Sequence, residues 1–261
     1  MPFTFVHPAV VLPISKHLGR FGVLSALVIG SMSPDFVYFA PIGIHGSDTH
    51  SVLALFWFCL PASLLVYQVF HRWLRQPLVS LLPPSLQIRI EPGDLRFRQN
   101  NPSAVLASLL LGAMTHLVWD SFTHAHSPLL VLRPVLEHEL FAIEAYQVFL
   151  FRILQHASTA LGTLFIVWWV RRWYLSAQPI YPTAPLSPST TKVLISIAMT
   201  GVVAVICGVA AGLAVVGARD GLLAVQYFSV KAVVTAVPVF VVVFLGYCVW
   251  WHAKMRGALA H

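Results

Sequence analysis

Residues 104–124 of the chain read AVLASLLLGAMTHLVWDSFTH. A helix needs about 20 mainly apolar residues to cross a bilayer, and this stretch supplies them. His116, Asp120 and His124 recur at every fourth position in it, so a helix would carry all three on one face. Ionisable groups inside an apolar helix are costly and usually face the interior of a bundle or a watery cavity. The pattern therefore favours a functional site over histidines that only hydrogen-bond to neighbouring backbone.

The composition indicates what surrounds this helix. Hydrophobic residues make up 58% of the 261 residues, charged residues make up 10%, and the mean hydropathy is +0.79. A soluble core cannot hide so much apolar surface, so we expect an all-α integral membrane protein, a polytopic helical bundle of six to seven membrane segments. Residues 23–40 and residues 3–18 predict the two shorter segments. The five long apolar windows are residues 52–70, 104–122, 146–170, 193–216 and 231–251.

The basic residues predict the orientation of this bundle. They cluster in residues 71–98, in residues 171–192 and at the chain end, residues 254–256. By the positive-inside rule these regions face the cytoplasm, and we expect the protein in the bacterial cytoplasmic (inner) membrane. Residues 43–50 and 125–145 then form outer loops. The net charge of +7 is a topology signal, and no nucleic-acid partner is expected because the basic residues form no aromatic-interleaved groove.

Several common chemistries lack their sequence signals. The chain has no GxxxxGK[ST] phosphate loop, no Rossmann glycine fingerprint and no GxSxG elbow. Its three cysteines fall in apolar windows at unrelated spacings, which predicts packing residues and not a zinc or redox motif. Because the polar residues concentrate in the first part of the chain, we expect three regions. They are a site-bearing domain over residues 1–175, a Pro/Ser/Thr-rich linker over residues 176–191, and a C-terminal pair of transmembrane helices over residues 192–261.

Other histidines and acids lie near the predicted outer ends of neighbouring segments. Asp35 ends the segment of residues 23–40, His50 lies in the short loop that follows, and His156 enters from the span of residues 146–170. Imidazole and carboxylate donors suit zinc, and also manganese or iron, whereas magnesium and calcium prefer cages of oxygen alone. The sequence therefore predicts a transition-metal site near the outer face.

Helix geometry limits how the first triplet can bind metal. His116 and Asp120 are one turn apart, about 5.4 Å, but His124 lies about 12 Å from His116 along a helix axis. The pattern therefore implies either two or more ions or a helix that ends before His124. Two ions about 3.5–4 Å apart can activate water for in-line attack at phosphorus, which makes phosphoester hydrolysis the natural reaction class.

Five short motifs carry a resemblance to a known family. They are MPFTFVHPAVVLP at residues 1–13, GSMSPDF at 30–36, THS at 49–51, HLVWDSFTH at 116–124 and LQHAST at 154–159. Together they resemble a bacterial family of polytopic membrane proteins of undetermined function. That family is similar to the predicted membrane-bound metal-dependent hydrolases and, more distantly, to the zinc-dependent phospholipase C and single-strand nuclease superfamily. The resemblance covers residues 1 to about 162.

The resemblance implies a divalent transition metal, zinc first, as the cofactor and a set of ligands. Asp35 and Asp120 would also act in catalysis. The soluble zinc enzymes add an HxxxE helix element that is missing here, because Ala160 follows His156 by four residues; an acid of the outer loop, Glu137, Glu139 or Glu144, could replace it. The implied ligands are His7, Asp35, His50, His116 and Asp120, joined by His124 and His156.

His7 constrains the topology of the first residues. If residues 23–40 cross outward from a cytoplasmic N-terminus, His7 lies on the opposite side of the membrane from Asp35. A helical hairpin removes this conflict, with residues 3–18 running inward, a turn at residues 19–22, and a return through residues 23–35. We favour this hairpin over six spans with a cytoplasmic N-terminus.

The leading functional hypothesis is a membrane-bound metal-dependent hydrolase that acts on a lipid or another phosphoester. An ion or metal transporter is the main alternative, since buried histidines and acids also mark ion pathways. Transporters often show repeated halves, whereas this chain has one polar half and one apolar half. A membrane protein with a purely structural metal site is the third possibility.

The arginine asymmetry gives a topology prediction. Cysteine labelling of Ser47→Cys and Arg89→Cys in intact cells should place residue 47 outside and residue 89 in the cytoplasm, because the window of residues 52–70 separates them. Labelling of both residues from the same side would remove that span and contradict the bundle.

Overall fold

The computed structural model describes residues 4–39, 43–90, 101–125, 133–143, 146–180, 190–216 and 221–259. The chain divides into two compact units. The first combines Met1–Gln68 with Gln99–Leu175, and the second combines Val69–Arg98 with Ser176–His261. Residues 69–90 thus belong with the C-terminal part and not with the site-bearing part. Most of the predicted linker, residues 181–189, lies outside the described residues.

The first unit begins with the helical hairpin that the sequence predicts. A 3-10 turn, Thr4–Val6, leads into α1, Pro8–His17. The chain reverses at Gly19, whose φ of 52° lies in the left-handed region that favours glycine, and continues into α2, Leu24–Met32. A 3-10 helix, Ser33–Phe39, follows α2 directly and carries Asp35. The hairpin therefore returns the chain from His7 to Asp35.

The HxxxD residues lie on a long helix whose backbone touches that of α2. α7 covers Pro102–Thr123, and the Asn101 side chain caps it by accepting a hydrogen bond from the backbone N–H of Ser103. A Cβ atom on Gly30 of α2 would overlap the backbone of Leu109, and one on Gly112 would overlap the backbone of Leu27. Only glycine permits so close an approach at these two positions. The crossing brings the end of α2 to the middle of α7.

Shorter elements lie between these helices in the chain. α3, Gly46–Thr49, precedes His50. A continuous helical run follows, consisting of a π-helix Leu55–Cys59, α4 Leu60–Val69, a second π-helix Phe70–Leu74, and α5 Arg75–Ser80. α6, Pro84–Gln87, and α8, Arg133–Leu136, are single turns. In the first unit Val37, Leu55, Phe58, Cys59 and Ala113 form a buried apolar cluster.

Two prolines explain why the run from Leu55 to Ser80 alternates between α- and π-helix. A proline inside a helix lacks the N–H that would bond four residues back, and its ring clashes with that carbonyl. The carbonyls concerned belong to Trp57, for Pro61, and to Trp73, for Pro77, and each lies in one of the π segments. The Trp73 carbonyl accepts a hydrogen bond from His252 Nε2 at 2.9 Å instead. The window of residues 52–70 is thus helical but is not one uninterrupted α-helix.

The predicted outer loop contains strands that the sequence did not predict. β1, Glu139–Ile143, pairs antiparallel with β2, Tyr146–Phe149, and a register shift interrupts the pairing between Glu139 and Phe141. α9 therefore begins at Leu150, four residues after the predicted start of its span, and continues to Ser176. The remainder of the described chain is helical apart from connecting turns, so the all-α class holds.

The second unit contains a pair of long helices. α10, Thr190–Val216, is joined to α11, Gly221–Leu259. Gly208 faces Ala232, and Gly212 faces Phe228, so residue numbers rise along one helix while those of the contacting residues fall along the other. The two helices are therefore antiparallel neighbours, as expected for a terminal pair of packed membrane helices.

Three stretches of described helix are long and apolar enough to cross a membrane. They are Pro102–Thr123, Leu150–Ser176 and Tyr227–Lys254, and each overlaps a predicted span. Leu24–Phe39 and Gly201–Ala214 are shorter apolar helical stretches. This architecture is compatible with an integral membrane protein.

The glycine crossing yields a stability prediction. Gly112→Ala should lower the free energy of unfolding by about 1–3 kcal/mol, because the new methyl group must push α2 away from α7. Thermal unfolding in detergent measures this change. Gly246→Ala in α11 is the matched control, since no atom lies within 4 Å of a Cβ there, and its melting temperature should stay the same or rise slightly. Equal melting temperatures for both variants would contradict the close crossing.

Candidate metal centre

Five of the predicted ligands converge in the first unit from four separate parts of the chain. His7 precedes α1, Asp35 lies in the 3-10 helix after α2, His50 follows α3, and His116 and Asp120 are one turn apart on α7. His7, Asp35, His116 and Asp120 are buried. The His50 side chain is 20% exposed. The turns after α2 and α3 thus bring side chains that are distant in sequence to one face of α7.

Four ligand atoms of these residues lie close to one another. His50 Nε2 lies 3.2 Å from Asp35 Oδ1 and 3.5 Å from Asp120 Oδ2. His116 Nε2 lies 3.7 Å from the same Asp35 oxygen and 3.2 Å from the same Asp120 oxygen. Two ligands about 2.0–2.1 Å from a tetrahedral zinc ion are about 3.4 Å apart. Four of the six distances among these atoms are thus close to the ligand spacing at one zinc ion, and the complete groups of possible ligands are His7, Asp35, His116 and His50, His116, Asp120.

The orientation of the two imidazoles is fixed from outside the cluster. His116 Nδ1 donates a hydrogen bond to the Ser31 carbonyl at 2.7 Å, and His50 Nδ1 donates to the Gly46 carbonyl at 2.7 Å. A carbonyl can only accept, so in each ring Nδ1 carries the proton and the Nε2 of the neutral ring presents a lone pair to the carboxylates. Metal-binding histidines usually have this second hydrogen bond.

The carboxylates are held in a similar way. Asp35 Oδ2 accepts a hydrogen bond from the Thr4 hydroxyl at 2.7 Å, which leaves Asp35 Oδ1 directed at the cluster. The Thr49 hydroxyl donates to the Pro34 carbonyl at 2.9 Å, so the residue before His50 is fixed to the residue before Asp35. These contacts prepare the site before any ion binds.

In the described chain, the inward-facing atoms have no hydrogen-bond partner outside the cluster. Within the described part of the chain, His116 Nε2, Asp35 Oδ1 and both Asp120 oxygens are buried without a hydrogen bond. Lone pairs of neutral imidazole and carboxylate repel one another unless a proton or a metal ion lies between them. Two protonated imidazoles or one metal ion can satisfy these atoms, and the nitrogen and oxygen set suits zinc, manganese or iron. The residues therefore fit a divalent transition metal.

His7 lies beside the four atoms described above. Its ring stacks on the His116 ring with the centroids 3.7 Å apart, and its Nε2 lies 3.6 Å from Asp120 Oδ1, the oxygen not shared by the other two histidines. Both His7 nitrogens are buried without a hydrogen bond among the described residues. His7, Asp35 and His116 also form a group close enough to hold an ion. His7 can thus serve as a fifth donor.

The helix that carries His116 and Asp120 ends just before His124. α7 stops at Thr123, and His124 has an extended backbone, with φ −128° and ψ 151°. The His124 ring turns back so that Nδ1 lies 3.2 Å from the Asp120 carbonyl and 3.5 Å from Asp120 Oδ1. Of the two alternatives that the spacing left open, the structure therefore shows the shorter helix. His124 lies at the rim of the site.

A family comparison adds the wider context. The family model described as a domain of unknown function (DUF4184) matches residues 1–250. The chain belongs to this family. Comparisons with curated proteins and with solved structures found no match. The family assignment agrees with the resemblance to a family of undetermined function and leaves the link to hydrolases as a hypothesis.

In this DUF4184 chain, the remaining predicted site residues lie elsewhere. His156 is exposed on α9 and is in neither group of possible ligands among the described residues. Glu139 is exposed and accepts a hydrogen bond from Gln147 at 3.1 Å. Glu137 also lies outside both groups, and Glu144 lies outside the described residues. The structure thus brings His7, His50 and the α7 pair to Asp35, with His124 at the rim, and leaves His156 apart.

The two groups of possible ligands have one residue in common. The two groups of possible ligands are His7, Asp35, His116 and His50, His116, Asp120. They share His116, whose Nδ1 is already bonded to Ser31, so its Nε2 can serve one ion only. Because His124 no longer requires an ion of its own, the argument from spacing for a second ion falls away.

Sequence reasoning missed two side chains near the site. Thr4 is marked only by its position three residues before His7, one turn of the 3-10 helix. Trp119 has its ring edge against His7, with centroids 5.8 Å apart, but in the sequence it is one apolar residue among many.

The metal content of variants tests whether the clustered residues bind metal and His156 does not. His116→Ala, His50→Ala and Asp120→Asn should each weaken zinc binding by about 100-fold or more, because loss of even an outer-sphere partner costs about 10–100-fold. His156→Ala is the matched control and should retain the metal, since its exposed ring lies apart from the cluster. Elemental analysis and zinc titration of detergent-purified protein provide the measurement. Loss of metal in His156→Ala, or its full retention in His116→Ala, would refute the arrangement.

Proposed function

We propose that this protein is a membrane-bound metal-dependent hydrolase that acts on a phosphoester or lipid, with zinc as the first candidate cofactor. One observation carries the proposal. Two imidazoles and two carboxylates bring their donor atoms together inside an apolar protein, with nitrogen–oxygen distances of 3.2–3.7 Å. The resemblance to metal-dependent hydrolases, which rests on the same residues, supports the choice of reaction.

The exposure of the donors supports a catalytic over a structural ion. His7 and His116 are closed off, whereas the His50 and His124 side chains are 20% and 30% exposed. Structural zinc sites are closed, while catalytic sites keep a position open to water or substrate. The cluster is thus accessible along the side where His50 and His124 lie.

The protein residues divide the work between binding and proton transfer. A bound transition-metal ion would polarise a phosphoryl oxygen and make water a better nucleophile near neutral pH. Asp35, His50 and His116 would hold it, and Thr4 would keep Asp35 in position. Asp120 has one oxygen beside His50 and His116 and the other beside His7 and His124. Its outer oxygen can therefore accept a hydrogen bond from water or from a protonated imidazole, while its inner oxygen would hold the metal.

The proposed setting is a bundle of six to seven segments in the bacterial cytoplasmic membrane, with the bilayer as its immediate partner. The charge pattern supports a position of the site near the outer face, because the cluster lies in the part of α7 that precedes the outer loop. A lipid substrate would then approach from the outer leaflet.

Transport remains the competing class. It requires a polar path across the membrane, and the two ligand groups found in the described chain lie together near one end of α7. This placement favours hydrolysis.

Turnover of phosphoesters tests the proposal. Purified protein loaded with zinc or manganese should hydrolyse a member of a panel of phosphomonoesters, phosphodiesters and phospholipids. Chelation should abolish this activity, and added metal should restore it. Asp35→Asn and Asp120→Asn should reduce turnover to background, whereas His156→Ala should not.

The opposite pattern has a clear meaning. Metal-loaded protein that hydrolyses nothing in the panel, but shows ion flux in vesicles that Asp120→Asn blocks, would establish transport. Metal binding with neither activity would indicate a structural ion.

A further inference from the structure

An apolar groove lies beside the metal cluster in the first unit. It has a volume of about 520 Å³ and runs between α7 and α9, with Val10 of α1 contributing to one wall. This volume is within the range of small-molecule sites, about 300–1,000 Å³. Both long helices that form it are apolar enough to cross a membrane. The groove therefore faces the region where bilayer lipid would be.

The groove presents almost no polar surface. Its hydroxyl groups are those of Thr115, Ser158 and Thr123. Thr115 donates to the Gly112 carbonyl at 2.7 Å and Ser158 donates to the Gln155 carbonyl at 3.0 Å, while Thr123 donates to Trp119. With these donors used within their own helices, water gains little in the groove. Its occupant must be apolar.

The length of the groove matches one leaflet. The α7 wall is a single stripe that includes Leu111, Met114, Val118 and Phe122 and ends at Thr123. At 1.5 Å per residue, the distance from Leu111 to Thr123 is about 18 Å. Half of a hydrocarbon core is about 15 Å thick. An extended acyl chain of a membrane lipid fits this length, whereas a compact apolar molecule would leave much of the groove empty.

One end of the groove meets the metal cluster. Trp119 lines the groove and also places its ring edge against His7. On α7, Trp119 and Thr123 stand next to Asp120 and His124, at the boundary between the apolar stripe and the ligand stripe. A lipid whose chain lies along the groove would therefore have its phosphate group at the ligands.

We infer that the groove between α7 and α9 binds one acyl chain of a phospholipid, with the chain end at Leu111 and the glycerol end at Thr123. The identification of that lipid as the substrate rests on the proposed hydrolase function. Binding of the chain itself does not, because it depends only on the apolar stripe.

Photocrosslinking of the unaltered protein tests the register. The probes are two phosphatidylcholines in vesicles, one with a diazirine at the end of an acyl chain and one with a diazirine close to its ester. The first should label the region of Leu111 and Met114, and the second should label the region of Trp119 and Phe122. Equal labelling of exposed apolar residues away from the groove, such as Val167, would refute the inference.

A matched pair of variants tests the groove independently. Val118 and Val167 are both 60% exposed and lie on α7 and α9, but only Val118 lines the groove. Val118→Trp should reduce the phospholipid retained in native mass spectra by about ten-fold, because the indole ring fills the site. Val167→Trp should leave it unchanged, and both should retain zinc. Equal lipid retention in the two variants would overturn the inference.

The remaining outcomes separate the two proposals. If Val118→Trp converts a dimer to a monomer without loss of lipid, a second copy of the chain covers the groove and the inference is wrong. If the crosslinks follow the expected register but no phosphoester is hydrolysed, the groove stands and the hydrolase proposal fails. If soluble phosphoesters are hydrolysed while the crosslinks scatter, the hydrolase stands and the groove assignment fails.

Discussion

The contact of the α2 and α7 backbones at Gly30 and Gly112 is the constraint on which the site depends. One residue after Gly30, the Ser31 carbonyl fixes the His116 ring, and the chain then turns into the 3-10 helix that carries Asp35. The Ser108 hydroxyl accepts a hydrogen bond from the Val23 backbone at 3.0 Å and fixes the other end of α2. A wider spacing between these helices would move Asp35 away from His116 and Asp120 and would disrupt the cluster.

The inward-facing lone pairs of the cluster lower the stability of the fold. A buried polar group without a partner costs about 1–3 kcal/mol, and several of the inward-facing atoms are in this state. A metal ion that bound the folded protein but not the unfolded chain would offset this cost. The hydrogen bonds from Thr4 to Asp35 and from the two histidines to backbone carbonyls are arranged so that the remaining lone pairs point inward. Such an arrangement would favour the binding of a cation by the folded protein.

The sequence could predict the features that depend on local pattern. The spacing of His116 and Asp120 and the apolar windows follow from helix geometry and hydropathy, whereas the hairpin between His7 and Asp35 follows from the ligand set that the family resemblance implies. Features that depend on tertiary contacts were out of reach, because nothing nearby in the sequence signals them. The hydroxyl of Thr4, the glycine crossing and the exposed position of His156 belong to this group. The β-hairpin was missed because its strands lie in a short loop between stronger helical signals.

α7 is committed on most of its circumference. Gly112 and Ser108 meet α2, His116 and Asp120 face the cluster, and Met114 and Val118 border the groove. α9, by contrast, is largely exposed. Among its described residues only Gly162, which packs against Val6, is buried. Evolutionary drift should therefore be distributed unevenly. Among relatives, α7 should accept fewer substitutions than α9, which should exchange one apolar residue for another freely, so that divergence accumulates on the more exposed helix.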